Sequence, residues 1–154
     1  MKTIGILMAE HRVIEKMLSQ IDEKPVGSII EFFRIYADAI HHGKEEDILF
    51  SKLAGKEIKK EHQEIMNKLL EEHQKGREII SRIESNKGND KIVKECKQEL
   101  LELYPQHIET EDKHFFMPAK EYFTEEEQKQ IDEESREFDK KQDKKKYEEM
   151  LKAQ

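Results

Sequence analysis

Cysteine is nearly absent from this chain. The single Cys96 excludes an internal disulfide framework, and its place almost three turns ahead of His107 marks it as a small buried hydrophobe, not a ligand. Long apolar runs are missing as well. No stretch approaches the roughly 18 apolar residues of a membrane span, and Met1 to Arg12 lacks the long apolar core of a signal peptide. These absences predict a protein of the reducing cytoplasm, away from the membrane. Nor is there an excess of basic charge. Formal net charge is −7, and lysines and arginines are mixed with acids almost everywhere, so no basic stripe is offered to nucleic acid. The densest basic run, Lys140, Lys141, Lys144, Lys145 and Lys146, is interleaved with acids and reads as a solvated helix face. Finally, no segment reads as a strand.

What is there is helix. Charged residues make up 41% of the 154 positions, which suits long exposed helix faces. Leu, Ile, Val and Phe supply about a quarter, lean but enough for one core. Ile4, Leu7, His11, Ile14, Leu18 and Ile21 form the apolar stripe of a first helix over about 3–22, ended by Pro25 and Gly27. Ser28 and Glu31 are spaced as a capping box for a second helix that runs to about Leu53. Beyond Ala54-Gly55 a third helix spans about 56–85, with Ile58, His62, Ile65, Leu69, His73, Ile80 and Ile83 in its stripe. The turn residues from Asn86 to Asp90 lead into a fourth helix from about Lys91. Its inward set is Ile92, Cys96, Leu100, Leu103, Tyr104, His107, Glu111, His114 and Phe115. Pro105 predicts a kink or a local break within it. Thr124 and Glu127 cap a last helix to about Lys152, thin in apolar residues and expected to lie outside or fray. The expected fold is therefore all-α: an antiparallel up-down-up-down four-helix bundle over 1–122, with an additional C-terminal helix over 123–154 packed on or extending it within one domain.

The second helix holds two overlapping His-x3-Glu pairs, and helical phase chooses between them. At roughly 100° per residue, Phe32, Tyr36, Ala39, Gly43, Phe50 and Leu53 gather on one side. His42 and Glu46 lie at the edge of that side. His41 and Glu45 fall opposite, with Arg34, Asp38 and Lys52. A regular α-helix thus turns the 42/46 pair inward and the 41/45 pair to solvent. His107 and Glu111 repeat the spacing on the fourth helix.

Six of the seven histidines, His11, His42, His62, His73, His107 and His114, fall on or beside inward faces. Each neutral imidazole buried without a partner costs a few kcal/mol, and an uncompensated buried carboxylate must shift its pKa or find a cation. A common metal ligand resolves both. A His-x3-Glu pair sets both groups on one helix face about 6 Å apart along the axis. The His can bind one metal terminally while the carboxylate bridges to a second. Mixed nitrogen and oxygen donors suit iron or manganese better than calcium or a thiolate-held structural zinc. A ferritin-like di-metal site needs two Glu-x-x-His pairs, and only Glu111 with His114 has that spacing.

Several pieces together resemble the hemerythrin-like, HHE cation-binding domain family. They are Glu10-His11-Arg12, the run from His41 to Phe50, Glu72-His73 with Gly76-Arg77, and Tyr104 to Asp112 leading to Phe116-Met117-Pro118. The resemblance covers about residues 5–150. It implies a four-helix bundle holding two non-haem iron ions joined by an oxo or hydroxo bridge, with manganese or zinc as possible substitutes. The ligands it carries over are His11, His42, Glu46, His73, His107 and Glu111. Oxygen-carrying members offer a second His one turn from the third helix's ligand, but here Leu69 and Arg77 flank His73. The set resembles instead the four-His, two-Glu sites of iron-sensing and iron–sulfur-repair members. Position alone would allow His62 in place of His73, and His62 and His114 together read as a second polar layer leading to the metals. Tyr104, one turn before His107, is a possible further ligand or hydrogen-bond donor.

The function expected from this is a di-iron protein that binds or senses O₂, or a related small oxidant such as peroxide or NO, with a possible redox partner. An iron-responsive regulatory module, an iron–sulfur-repair-like module and an enzyme acting on peroxide or NO are the alternatives.

Overall fold

The structure, a computed structural model, describes residues 1–152. It is all helical, and no strand occurs among the described residues. We label six helices. α1 is Lys2–Ser19. After a 3₁₀ turn, Ile21–Glu23, and Pro25, α2 runs over 26–54. α3 is Lys60–Ser85, α4 runs over 90–120, α5 is Glu125–Lys140 and α6 is Lys144–Lys152. Among the described residues no helix is long and apolar enough to cross a membrane.

The expected stripe buries throughout α1; α3 starts only at Lys60, which leaves Ile58 outside it, and His62 and Ile65 are half-buried. Ile4, Leu7, His11, Ile14 and Leu18 are all buried in α1, as are Leu69, His73, Ile80 and Ile83 in α3. α4 passes through Pro105 without a break, with Pro105 itself exposed. The last helix, expected as one piece, is two, separated at 141–143. It does not fray. Ile131, Tyr147 and Leu151 are buried, and Tyr147 packs its ring against Phe32 and Tyr36. The Thr124–Glu127 capping box is formed in both directions.

α2 departs from regular winding. It begins as α-helix, then winds as π-helix over Phe32–His42 and again over Glu45–Phe50. The Gly43 N–H, for example, donates to the Asp38 carbonyl five residues back. An i→i+5 ladder packs more residues into each turn than an α-helix, so each residue rotates through a smaller angle. Over eleven residues the lag accumulates, and α2 presents a different face by position 41 than the α-helical phase gives. The same winding recurs in α4 over Glu111–Phe115.

Two apolar clusters fill the interior. One holds Ile14, Ile29, Phe33, Ile40, Ile80 and Leu100, the other Leu7, Leu49, Leu53, Leu69, Phe115 and Ile131. Along α1, α2 and α3 the chain passes from one cluster to the other through polar residues: Glu10 and His11, then His41 to Glu45, then His73. These form a buried polar layer between the clusters.

Candidate metal centre

Five side chains of this layer, with His107 and Glu111 of α4, converge as two groups. One is His42, Glu45, His73 and His107; the other is His11, His41, Glu45 and Glu111. In each, one potential ligand atom per residue lies within 4.8 Å of all the others. All seven residues are buried, and Glu45 belongs to both groups.

Each of the five imidazoles has a carboxylate on its Nδ1. The partners are Asp112 for His11 at 2.7 Å, Glu10 for His41 at 2.9 Å, Asp38 for His42 at 3.1 Å, Glu46 for His73 at 2.7 Å and Glu72 for His107 at 2.9 Å. A carboxylate accepts, so Nδ1 carries the proton and Nε2 keeps its lone pair in the neutral ring. This is the arrangement that fixes the tautomer and orientation of metal-binding histidines. The opposite nitrogens of His41, His73 and His107, both oxygens of Glu45 and one of Glu111 are buried without a hydrogen-bond partner. Orphaned buried polar atoms are rare because each is costly. Here six of them belong to the same seven residues, and a cation between them would satisfy all six. The donor set fits a pair of metal ions.

The two carboxylates sit between the groups. Glu45 Oε1 is 3.5 Å from His41 Nε2 and 3.4 Å from His73 Nε2. Glu111 Oε1 is 2.9 Å from His11 Nε2 and 3.3 Å from His107 Nε2. Each therefore touches one imidazole of either group. Their electrostatics diverge. Burial, then the charge of Glu111, pushes Glu45 well above the usual carboxylate range. Burial alone would raise Glu111 too, but the charge of His107 and the hydrogen bond from His11 hold it well below that range. Without a cation, then, one of two adjacent carboxylates keeps its proton.

The structure corrects several sequence expectations. His41 and Glu45 are 1% and 0% exposed, not turned to solvent, because the π-winding of α2 brings both imidazoles of the His41-His42 pair inside. Glu46 is outside the cluster; it backs His73 and accepts from Arg77 at 2.7 Å. Ala39, placed by the α-helical phase on the inward side, is exposed. His114 is exposed, since it lies in the π-wound part of α4. His62 hydrogen-bonds the Tyr122 hydroxyl at 2.6 Å through Nδ1. The two do not form a second polar layer. Tyr104 is buried, with its ring 6.4 Å from those of His42 and His107. Lys144, read as solvated, reaches inward to Glu10 at 2.8 Å. His11, His42, His73, His107 and Glu111 are brought together. The adjacent double His with acids three and four residues on was the available signal for His41 and Glu45; only the assumption of regular winding set it aside.

A cavity of about 90 Å³ adjoins the His42 side, lined by Asp38, His42, His73, Gly76, Arg77 and Tyr104 among others. Gly76 leaves room there: a Cβ on it would lie 3.4 Å from the Tyr104 hydroxyl.

An all-helical chain that buries five histidines and two glutamates as a two-compartment donor cluster defines the class of a helical metal-binding domain. The family comparison agrees and is more specific. Residues 2–119 match the hemerythrin HHE cation binding domain, and the chain belongs to that family. A comparison with curated proteins finds no significant match, and neither does one with solved structures.

Proposed function

We propose that this protein binds two iron ions in the buried layer: His42, His73 and His107 would hold one and His11 and His41 the other, with the carboxylates of Glu45 and Glu111 available to both. The observation that carries the reading is the convergence of six unpartnered nitrogen and oxygen atoms on these residues. Nitrogen and carboxylate donors without thiolate favour iron or manganese. We also read the four long helices, α1 to α4, as an antiparallel up-down-up-down bundle over 1–122, because short connections join each to the next. α5 and α6 belong to the same domain.

Five imidazoles supply five donor atoms and two carboxylates at most four, nine in all. Two six-coordinate ions would need about twelve. The shortfall leaves positions for small exogenous ligands, which supports binding or sensing of O₂, peroxide or NO. Paired iron supplies electrons for such ligands when bound. The protein's own part is to hold the donors in place, keep each Nδ1 protonated by its carboxylate and exclude bulk water from the layer. The cavity at His42 and His73, with Arg77 and Tyr104 on its wall, is of a size for molecules of a few atoms.

The test is iron content and optical spectrum after aerobic loading of the purified chain. Two irons per chain are expected, with a near-ultraviolet charge-transfer band that shifts on adding azide or peroxide. Failure to take up iron would overturn the reading. Two irons with no spectral response to small ligands would overturn the ligand-binding part and leave a regulatory metal module.

A further inference from the structure

The region matched by the family ends at residue 119, yet α5 and α6 beyond it reach the surroundings of a candidate ligand. Glu10, 2% exposed, accepts from His41 Nδ1 at 2.9 Å and from Lys44 Nζ at 2.6 Å. Lys44 is fully buried and donates on to Asp139 of α5 at 2.7 and 2.9 Å. Lys144 of α6 lies 2.8 Å from the same Glu10 carboxylate and 3.5 Å from Asp139. Contact is close at this point because Gly43 has no side chain: a Cβ there would meet the Phe138 ring of α5 at 3.3 Å.

The other imidazoles are held differently. Asp112 behind His11 pairs with Arg12, and Asp38 and Glu46 behind His42 and His73 share Arg77. Those cations belong to α1 and α3, within the matched region. For His41 alone, the backing carboxylate is gripped by a cation from beyond it, and the buried lysine beside it is held by an acid from beyond it. Buried charges of this kind keep their geometry only while all partners are present.

We propose that Asp139 and Lys144 are positioning residues for His41, acting through Lys44 and Glu10, so that α5 and α6 control retention of one metal of the pair. The proposal rests on the reading of His41 as a ligand. It gives the C-terminal helices a role that simple packing does not. Packing is served separately by the middle of α5, where Asp132 accepts from the Thr3 N–H at 2.9 Å and from the Thr3 hydroxyl at 2.7 Å, with no link to a histidine.

The experiment uses the full chain loaded with iron and follows release to a ferrous chelator under reducing conditions, with thermal stability measured on the same samples. Asp139→Asn and Lys144→Met should each speed release of one iron of the two by about 10–100-fold, the range typical for lost partners behind a metal ligand, while the other leaves at the wild-type rate. Asp139→Glu should restore slow release in part. Asp132→Ala should lower stability and leave both rates unchanged. Equal acceleration of both irons, or the same pattern in Asp132→Ala, would reduce α5 to a packing element and overturn the proposal. His41→Ala separates the two levels. If it keeps both irons, the ligand reading itself fails. If it loses one while Asp139→Asn and Lys144→Met release both at wild-type rates, only the positioning role fails.

Discussion

The two compartments of the buried layer are built unlike each other. The compartment of His42, His73 and His107 has three imidazoles, and two of them line a cavity. The compartment of His11 and His41 has two imidazoles and is closed in. The His11 ring stacks on Phe116 at 5.7 Å, and His41 is backed by the buried Glu10–Lys44 pair and, through it, by Asp139. Access is concentrated on the compartment richer in protein donors, and enclosure on the poorer one. A symmetric pair of sites would have no reason to differ in this way. The arrangement suits a centre in which small molecules arrive on one side and the metal on the other is guarded against loss.

The sharpest way to break that comparison is at the residue both compartments share. Glu45→Ala should remove both metals together and bring iron from two per chain to near zero, measured by elemental analysis after desalting. Glu46→Ala, one position on, should keep two irons at saturation with affinity weakened by about 10–100-fold, since Glu46 orients His73 without facing the cluster. The reverse result would restore the α-helical phase assignment.

Next in size are the adjacent histidines. His41→Ala and His42→Ala should each act on the compartment that holds the residue replaced. After His42→Ala, His73, His107 and both carboxylates remain, so that compartment is weakened and not abolished. After His41→Ala only His11 and the carboxylates remain, and that metal should be lost. Iron content near one for His41→Ala and between one and two for His42→Ala, at matched free iron, is the expected outcome. Equal values would mean that the compartments do not differ in the way the geometry indicates.

Why the sequence led to one of these histidines and away from the other is a matter of winding. Along α1 and α3, regular α-helix lets a 3.6-residue period carry hydrophobic spacing directly into position, so His11 and His73 could be placed inward by counting from Leu7 and Leu69. The same counting failed at His41, Glu45 and Ala39, where π-turns had changed the rotation per residue. It failed again at His114, in the π-wound part of α4. Nothing in local composition announces a π-segment; the winding follows from what the rest of the fold demands of that stretch. The carboxylates behind the imidazoles are hidden for a related reason. Glu10, Asp38 and Glu72 look like ordinary charges of polar faces until neighbouring helices bring a histidine to each. The overall helix pattern was legible because breakers and stripes are local, although α2 starts at Val26 behind Pro25 and the expected Ser28–Glu31 capping box is not formed. The Asp139–Lys44 link was not, since it joins residues 95 apart.

A smaller effect concerns protons. Each compartment has one imidazole that holds its proton firmly and one that does not. Burial works against the charged form of His107, but Glu111 and Glu72 raise it to about 9. His11 is likewise raised, despite burial, by Asp112 and Glu111. Burial brings His41 down to about 4 and His42 well below its ordinary value. For His107 the folded pKa exceeds the unfolded value of about 6.5. Its contribution to the metal-free fold is therefore full below about pH 6.5 and lost as pH rises through about 9. Metal uptake has the opposite sense, because a cation must displace these protons and the one on Glu45. Affinity for ferrous iron should rise by up to about tenfold per pH unit for each proton displaced, with the share due to His107 levelling off above about pH 9. Anaerobic titrations across that range should show the rise for both metals. A rise confined to one would show that the compartments differ in protonation as well as in access.

The smallest effect tests access alone. Gly76 sits on the wall of the cavity with its missing Cβ 3.4 Å from the Tyr104 hydroxyl and 3.9 Å from Leu103. A Gly76→Ala methyl fits in ordinary contact, while Gly76→Leu would fill space that a small ligand has to cross. Neither change touches a donor atom, so iron content should stay at two. Gly76→Leu should slow azide binding several-fold by stopped-flow absorbance, with Gly76→Ala close to wild type. Should both bind azide at the wild-type rate, entry does not run past His42 and His73, and the closed compartment would have to open by movement of Phe116 or of α5. That outcome would invert the assignment of access and retention, and would make the Asp139–Lys44–Glu10 link the part of the molecule that governs entry.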